Sequence, residues 1–344
     1  MLRACLREEY GLIPAAIDFL PIGRDLNAGV YRVVSEKGAP YLLKIKSGEF
    51  YAASCIVPRY LSDEGIESVV AALRTTTNGL WARAGEWTVL VYPYLEGDTG
   101  WAGMSEEHWM TTGAIFRRVH EVALPPAGFD GVRRETFDPS GYARSIENLE
   151  THLATLGIGG RKSEQALRRT WAKHRSTIYA LLTSMDKLAS VLQPQGKPHV
   201  ICHADLHPGN LLRDRTGNVC VVDWDDVMLA PRERDFIFVG EPAHASSRYG
   251  SPFFQGYGET EIDWTLLTYY RYERVIQDLI EDAGQVIVRD DLSEEAKAEA
   301  ARQFRASLEG RNFDAAQAAA AHLPRDLTNT GVGREGTEPR SGPG

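Results

Sequence analysis

No hydrophobic run in the sequence approaches the roughly 18 residues that a membrane-spanning helix requires. The first ten residues, MLRACLREEY, place Glu8 and Glu9 where a signal peptide needs apolar residues, so we expect a cytoplasmic protein without a membrane partner. Basic residues are outnumbered, with 38 Lys and Arg against 47 Asp and Glu. Because nucleic acids are bound by concentrated positive charge, the net charge of -9 argues against a nucleic-acid partner.

Cysteine is also scarce, and its spacing argues against a zinc cluster. The four cysteines lie far apart and form no CxxC pair: Cys5, Cys55, Cys202 and Cys220. We expect free thiols, because a chain of 344 residues with 43% hydrophobic and 25% charged residues can bury a core without disulfides. That length fits two moderate domains, or two lobes around one cleft.

The first hundred residues are rich in predicted strands. Residues 30–34 and 41–46 are β-prone runs separated by the turn sequence Glu-Lys-Gly-Ala-Pro, a pattern that predicts a hairpin. A further strand is predicted over 87–91. The following segment, 92–97, contains a proline and a glycine that interrupt regular structure. We therefore place an N-terminal lobe at 1–91 and a connector between the lobes after it.

Helical periodicity replaces the strand pattern beyond the connector. Apolar residues recur every three or four positions from 109 to 123, behind Ser105 as a candidate N-cap, and again from 167 to 192. The stripe in the longer helix predicts core packing. Three more helices are predicted, at 264–282, 293–309 and 313–323. We place a C-terminal lobe at 98–324, and the final segment, 325–344, has so few apolar residues that we expect a disordered tail.

One short segment carries the pattern of a phosphotransfer site. The run HADLHPGNLL, which starts at His203, contains H-x-D-L-x-x-x-N, the spacing of a kinase catalytic loop. In such a loop the aspartate, here Asp205, accepts the proton of the substrate hydroxyl, and the asparagine, here Asn210, binds magnesium. A second acid, Asp223, directly follows a short apolar strand in VVDWDD. A purely structural role for these residues would leave their joint spacing unexplained.

The geometry between the two motifs predicts a metal site. Two short strands flank the loop 215–218, so we expect a hairpin. If Asp214 faces Val219, the same register places Asn210 opposite Asp223, with Cβ atoms about 5 Å apart. An amide oxygen and a carboxylate at that separation can share one cation, and magnesium prefers such oxygen ligands. We therefore predict that these two side chains bind Mg²⁺.

HADLHPGNLL followed by VVDWDD resembles the aminoglycoside phosphotransferase and choline-kinase group of kinase-like enzymes. The resemblance extends from about residue 20 to about residue 280, although only the block 203–226 is highly specific. Within the group, LVYPYLEG, APRERD, FFQGYG and YYRYER are most similar to spectinomycin phosphotransferases. The resemblance implies an α+β, bilobal protein-kinase-like fold with a small β-rich N-lobe and a larger helical C-lobe that contains the catalytic β-hairpin. It also implies ATP or GTP as phosphate donor.

The resemblance requires a lysine on the third strand of the N-lobe to hold phosphates. Lys44 and Lys46 lie on one face of the predicted strand, because side chains alternate with a period of two. We prefer Lys44, since Leu42 then falls above the adenine, and Lys46 is the alternative. The acidic partner of the lysine is open between Glu49 and Glu64. A phosphate-covering loop is implied at 23–29, although it matches a glycine-rich loop poorly.

The resemblance also implies an adenine pocket. When Gly97 is aligned with the glycine that ends the connector of the group, Tyr92 becomes the residue at the back of the pocket. Pro93 then offers its carbonyl to the adenine amino group, and Leu95 offers its backbone N–H to a ring nitrogen. Two apolar residues would form the floor of this pocket: Leu212 and Val222. An ordinary linker between the lobes is the alternative for the connector.

The acceptor is expected to be a small molecule. Protein kinases have an arginine where Ala204 stands and a long activation segment, whereas here only a few residues separate Asp223 from Pro231. Residues 223–299 contain 7 basic and 18 acidic residues, and this net charge of -11 favours a cationic acceptor. A solvated acidic surface is the alternative explanation. Several aromatic residues could line the acceptor side or the core: Trp224, Tyr249, Tyr257, Tyr269 and Tyr270.

The combined expectation is a magnesium-dependent, ATP-binding transferase. The resemblance implies phosphorylation of an aminoglycoside or aminocyclitol antibiotic, with spectinomycin as the expected acceptor, and hence antibiotic resistance. A metabolic kinase of choline, methylthioribose or homoserine type is the alternative, and a non-catalytic nucleotide-binding module is a more distant one. Two histidines are expected to be structural: His203 in the catalytic loop and His120 on the predicted helix before it.

Overall fold

The computed structural model describes residues 1–23, 27–125, 129–155, 160–239 and 251–328. These residues form two compact units. The first contains the described residues within 1–135 and 199–239 together with 251–260, and the second contains those within 136–198 together with 261–328. Every residue predicted for catalysis, metal binding or nucleotide binding belongs to the first unit.

The chain is a mixed α+β protein in which strands dominate the N-terminal part and helices the C-terminal part. The helices are α1 (Leu2–Tyr10), α2 (Ala53–Asp63), α3 (Glu106–Glu121), α4 (Ser140–Thr155), α5 (Lys162–Leu192), α6 (Pro252–Tyr257), α7 (Trp264–Ile287), α8 (Glu294–Glu309), α9 (Arg311–Ala320) and α10 (Arg325–Thr328). The strands are β1 (Pro14–Leu20), β2 (Ala28–Ser35), β3 (Pro40–Lys46), β4 (Ala82–Ala84), β5 (Trp87–Pro93), β6 (Gly97–Thr99), β7 (Val200–Cys202), β8 (Leu211–Asp214), β9 (Val219–Val221) and β10 (Met228–Ala230).

A five-stranded antiparallel sheet opens the first unit, in the order β1-β2-β3-β5-β4. The predicted hairpin is confirmed as β2 and β3, whose turn contains Gly38 at φ +81°. One face of the sheet packs against α1 through a buried apolar cluster that includes Leu6, Leu43 and Val91. Because side chains alternate along a strand, Lys44 lies on the face opposite Leu43. Lys44 therefore lies on the face of the sheet that does not pack against α1.

A smaller three-stranded sheet, in the order β6-β8-β9, carries the predicted catalytic hairpin. The hairpin is confirmed, but its predicted register is wrong by one residue, because Arg213 and not Asp214 pairs with Val219. Asp214 closes the turn instead: its Oδ1 accepts hydrogen bonds from the backbone N–H groups of Thr216 and Asn218, at 2.9 and 2.8 Å. A side chain that caps its own turn fixes loop length independently of strand propensity.

The second unit is helical in its described residues. The periodic stripe predicted for the long helix is confirmed by α5, which buries Leu167, Trp171, Ile178, Leu181, Met185, Leu188 and Leu192. α7 packs against α5, α8 and α9 and buries Tyr269 and Tyr270. The three later predicted helices correspond to α7, α8 and α9 with shifted ends.

Two further predictions concern the chain as a whole. No helix among the described residues is both long and apolar enough to cross a membrane. The four cysteines are free, as expected. Of the predicted disordered tail, 325–328 form α10, and 329–344 lie outside the described residues, as do Tyr249 and residues 24–26 of the proposed phosphate-covering loop.

Candidate active site

The predicted catalytic loop follows β7 and leads through a 3-10 turn, Pro208–Asn210, into β8. Its backbone is unusual at Ala204, which has φ +69°, a left-handed conformation that is strained for a residue with a Cβ. Asp235 holds this conformation, because its Oδ1 accepts a hydrogen bond from the Ala204 N–H at 2.8 Å and its Oδ2 accepts one from the His203 N–H at 3.0 Å. The strained residue directly precedes Asp205, so the buried carboxylate sets the position of the proposed base.

Asp235 is itself held by a buried chain of polar groups. His120 Nε2, on α3, lies 3.0 Å from Asp235 Oδ2, and His120 Nδ1 lies 2.9 Å from the hydroxyl of Tyr257 on α6. On the other side of the loop, the His203 ring donates to the carbonyl of Val222 at 2.9 Å. The two histidines expected to be structural therefore tie the catalytic loop to two helices and to the end of β9.

Asp205 and Asn210 lie side by side within this loop. Asn210 Nδ2 donates to the backbone carbonyl of Asp205 at 2.8 Å and to its Oδ2 at 3.2 Å. His207 Nε2 lies 3.4 Å from the same carboxylate oxygen. These contacts orient the Asp205 carboxylate and direct the amide nitrogen of Asn210 toward it, which leaves the amide oxygen without a hydrogen bond among the described residues.

Lys44 joins β3 to the segment that follows β9. Its Nζ lies 2.8 Å from Asp223 Oδ1 and 2.7 Å from Asp225 Oδ2, and Lys46 Nζ lies 2.7 Å from the same Asp225 oxygen. Burial opposes the charge of Lys44, but the two carboxylates outweigh it and raise the pKa of its ammonium group. Burial likewise disfavours the charge of Asp225, and the two lysines lower the pKa of its carboxyl to about 2. Lys44 and Asp225 therefore both carry their charges at neutral pH.

The two predicted acidic partners of Lys44 are not its partners in the structure. Glu49 and Glu64 are exposed, and neither forms an ion pair with the lysine among the described residues. The expectation assumed an acid on the helix after β3, but the acid of α2 is Asp63, which pairs with Arg59 and Arg74. The charge of Lys44 is instead balanced by residues about 180 positions later in the chain.

The donor atoms near the catalytic loop suit a hard cation. The corrected register would direct residues 210 and 223 to opposite faces if both strands continued. Neither residue continues its strand, because Asn210 lies in the 3-10 turn and Asp223 has φ +61°. The Asn210 amide oxygen and the second Asp223 carboxylate oxygen accept no hydrogen bond among the described residues. Amide and carboxylate oxygens are ligands that magnesium prefers, so this donor set fits the ion.

The structure brings part of the proposed adenine pocket together. Leu42 on β3 and Tyr92 on β5 are direct cross-strand partners, and both are half-buried. Pro93 is exposed at the end of β5, and Leu95 is half-buried in the loop before β6. The two proposed floor residues, Leu212 on β8 and Val222 just after β9, are also half-buried. Leu42 lies on the same face of β3 as Lys44, as the alternation of the strand requires.

Sequence reasoning did not identify two acids of this site, and it considered five aromatic residues for the acceptor side or the core. Asp225 stands two residues after Asp223 in VVDWDD, and this spacing was the available signal. Asp235 belongs to APRERD, which contributed only to the resemblance. Four of the five aromatic residues considered for the acceptor side are buried in the core: Trp224, Tyr257, Tyr269 and Tyr270.

Comparison with known proteins assigns a family to this geometry. The profile of the phosphotransferase enzyme family matches residues 18–274. The chain belongs to that family. It is a phosphotransferase that acts on hydroxyl groups, and its fold is protein-kinase-like. No curated protein sequence matches it.

Solved structures of several phosphotransferases and kinases align over nearly the whole chain. A spectinomycin phosphotransferase in complex with ADP and spectinomycin is 26% identical with a TM-score of 0.80, covering 93% of this chain and 97% of that one. Amicoumacin kinase in complex with AMP-PNP and Ca²⁺ is 19% identical with a TM-score of 0.59, covering 91% and 96%. An aminoglycoside phosphotransferase from Alicyclobacillus acidocaldarius is 17% identical with a TM-score of 0.55, covering 91% and 95%. The last two likenesses establish the fold alone.

Proposed function

We propose that this phosphotransferase moves the γ-phosphate of ATP or GTP to a hydroxyl of an aminoglycoside or aminocyclitol antibiotic, with spectinomycin as the first candidate. The observation that carries the proposal is the arrangement around Asp205, whose carboxylate is oriented by Asn210 on a loop fixed by Asp235. The likeness to the spectinomycin phosphotransferase supports the choice of acceptor. Such an activity would inactivate the antibiotic and confer resistance.

Each residue of the proposal has a stated task. Asp205 orients the acceptor hydroxyl and accepts its proton. Lys44 binds phosphate oxygens of the nucleotide, which would replace the carboxylates that it contacts in the free protein. Asn210 and Asp223 hold the Mg²⁺ ion, which neutralises phosphate charge when bound. The remaining residues of the proposal enclose the adenine: Leu42, Tyr92, Pro93, Leu95, Leu212 and Val222.

The proton-accepting role of Asp205 predicts a specific loss of activity. Asp205→Asn keeps the shape of the side chain but removes the charge, so we expect phosphate transfer to fall by about a thousandfold or more. Because the proposed nucleotide ligands remain, the Kd for the nucleotide should change little. Asp18→Asn, an exposed aspartate on β1, is the matched control and should retain wild-type rates.

The measurement is a phosphate-transfer assay with ATP or GTP and Mg²⁺, followed by mass spectrometry for a phosphate adduct. The acceptor panel contains spectinomycin, other aminoglycosides, choline, methylthioribose and homoserine. A phosphorylated antibiotic supports the proposal, whereas exclusive phosphorylation of choline, methylthioribose or homoserine makes the protein a metabolic kinase. Transfer by Asp205→Asn at the wild-type rate would contradict the assignment of the base.

A further inference from the structure

An exposed tryptophan lies beside the catalytic loop. Trp101 is in the 3-10 turn Gly100–Ala102 that directly follows β6, and 66% of its surface is exposed. Its indole stacks on the ring of His207, with centroids 5.6 Å apart and planes inclined by 25°. Stacking covers one face of the indole, and the high exposure leaves the other face to solvent. Tryptophan combines a large apolar surface with a polar N–H group and is enriched at binding interfaces, so this ring is a candidate ligand contact.

His207 connects this indole to the proposed base. Its Nδ1 accepts a hydrogen bond from the Gly209 N–H at 2.9 Å, and its Nε2 lies 3.4 Å from Asp205 Oδ2. The ring also makes an edge-to-face contact with Phe238, at a centroid distance of 5.9 Å. The imidazole is therefore held on several sides, and one edge of it faces the carboxylate. Trp101 covers one face of the same ring.

The backbone is shaped to allow this stack. A Cβ at Gly209 would lie 2.5 Å from Trp101 Nε1 and 2.6 Å from the His207 ring. A Cβ at Gly100 would lie 2.6 Å from the carbonyl oxygen of Pro208. Because such distances exclude any side chain without rearrangement, the turn that carries Trp101 is packed directly on the catalytic loop. The indole is thus positioned by close backbone contact and is not a loose surface side chain.

We propose that Trp101, backed by His207, is the stacking surface for the acceptor. This inference rests on the proposed function and adds a ligand class to it: a saturated ring with a C–H face that packs on the indole, and a hydroxyl directed toward Asp205. An ammonium group on that ring strengthens the contact, because the face of an indole attracts cations. Aminocyclitols have all three features.

The test compares acceptor binding by Trp101→Ala, Trp101→Phe and the wild-type protein, by isothermal titration with spectinomycin and by steady-state kinetics. Loss of an aromatic contact with a cationic ring should raise the acceptor Kd and KM about tenfold in Trp101→Ala. Trp101→Phe should recover most of the affinity, and the nucleotide KM should stay unchanged in both. The matched control is Phe19→Ala, another exposed aromatic (62%) with an edge-to-face partner, on the sheet face opposite Lys44. It should leave all constants unchanged.

Each outcome decides between the two proposals. Equal acceptor affinity in Trp101→Ala and wild type would overturn the stacking surface but leave phosphate transfer standing. A larger change in the nucleotide KM than in the acceptor KM would assign the indole to the nucleotide and also overturn it. Binding of spectinomycin that depends on Trp101, without any transfer, would refute the proposed function alone. A wild-type protein that binds neither spectinomycin nor other aminocyclitols would refute both.

Discussion

Lys44 and Lys46 stand two residues apart on the same face of β3, and both contact Asp225. Only Lys44 also contacts Asp223, at 2.8 Å among the described residues. Since Asp223 is the proposed metal ligand, the lysine that reaches it is the one placed to meet the phosphates that the metal would bind. These ion pairs favour Lys44 over Lys46 as the proposed phosphate ligand. The strand pattern alone does not distinguish the two lysines, because both lie on the same face.

Lys44→Met therefore has a different expected outcome from Lys46→Met. Removing the ammonium group of Lys44 should raise the nucleotide KM by about tenfold or more and lower kcat, because a charge-assisted contact with phosphate is lost. Lys46→Met is the matched control, with the same change of side chain two positions along the strand, and should have a smaller effect. Steady-state kinetics with ATP measure both. A larger effect of Lys46→Met would reverse the assignment of the phosphate ligand.

At the scale of elements, α3 and α6 are joined to the catalytic loop through Tyr257, His120 and Asp235. The two helices also approach closely, because Gly113 on α3 and Gly256 on α6 leave no room for a Cβ against the opposite backbone. Asp235 accepts two backbone N–H groups of the loop, and one of them belongs to the strained Ala204. The packing of α3 against α6 therefore helps to fix the position of Asp205.

Asp235→Asn should slow catalysis without blocking nucleotide binding. The amide presents one oxygen instead of two, so one buried N–H of the loop loses its acceptor, at a cost of about 1–3 kcal/mol. We expect kcat to fall about tenfold to a hundredfold, with circular dichroism confirming the fold and the nucleotide Kd little changed. Asp226→Asn, which changes an exposed acid in VVDWDD, is the control and should behave as wild type. An unchanged kcat in Asp235→Asn would show that the loop holds its conformation without this acceptor.

The second unit offers a prediction about two of its helices. Arg175 and Tyr179 on α5 donate hydrogen bonds to Glu150 on α4 and lower the pKa of its carboxyl from 4.5 to about 2. A carboxyl whose pKa is lowered by folding stabilises the protein above its unfolded pKa, and this stabilisation is lost as the pH falls toward 2. Solvent access limits the contribution to about 1 kcal/mol.

Glu150→Gln should therefore lower the free energy of unfolding by about 1 kcal/mol at pH 7, and the difference from wild type should shrink as the pH falls from about 4.5 to about 2. Denaturant unfolding at several pH values measures this difference. Glu147→Gln, an exposed position one turn earlier on α4, is the control and should show no such trend. A difference that is constant with pH would mean that the ionised carboxylate is not what stabilises the helix pair.

At the scale of the whole molecule, local patterns predicted elements better than they predicted contacts. The apolar stripe of α5 and the hairpin of β2 and β3 are short-range periodicities, so the sequence contains them directly. The register of the catalytic hairpin depended on the Asp214 side chain, which caps its turn. The acidic partners of Lys44, Asp223 and Asp225, are separated from it by 179 and 181 positions in the sequence. No periodicity in the sequence encodes such contacts. Which residues come together in the site could therefore be inferred only from the resemblance or from the fold.

Gly97 and Gly100 allow the segment after the connector to pack closely on β8 and on the catalytic loop, and this limits the substitutions that these positions tolerate. At Gly97 an added methyl group would overlap the Arg213 carbonyl, and at Gly100 it would lie 2.6 Å from the Pro208 carbonyl oxygen. At Gly209 it would instead meet the side chains of Trp101 and His207. Substitution to alanine or serine at Gly97 or Gly100 would therefore require the backbones of the two segments to move apart. The Trp101 side chain is 66% exposed, so its exchange would leave the backbone contacts at Gly97 and Gly100 in place. Under the proposed stacking role, a substitution at Trp101 would change the acceptor preference without disturbing the backbone that positions the catalytic loop.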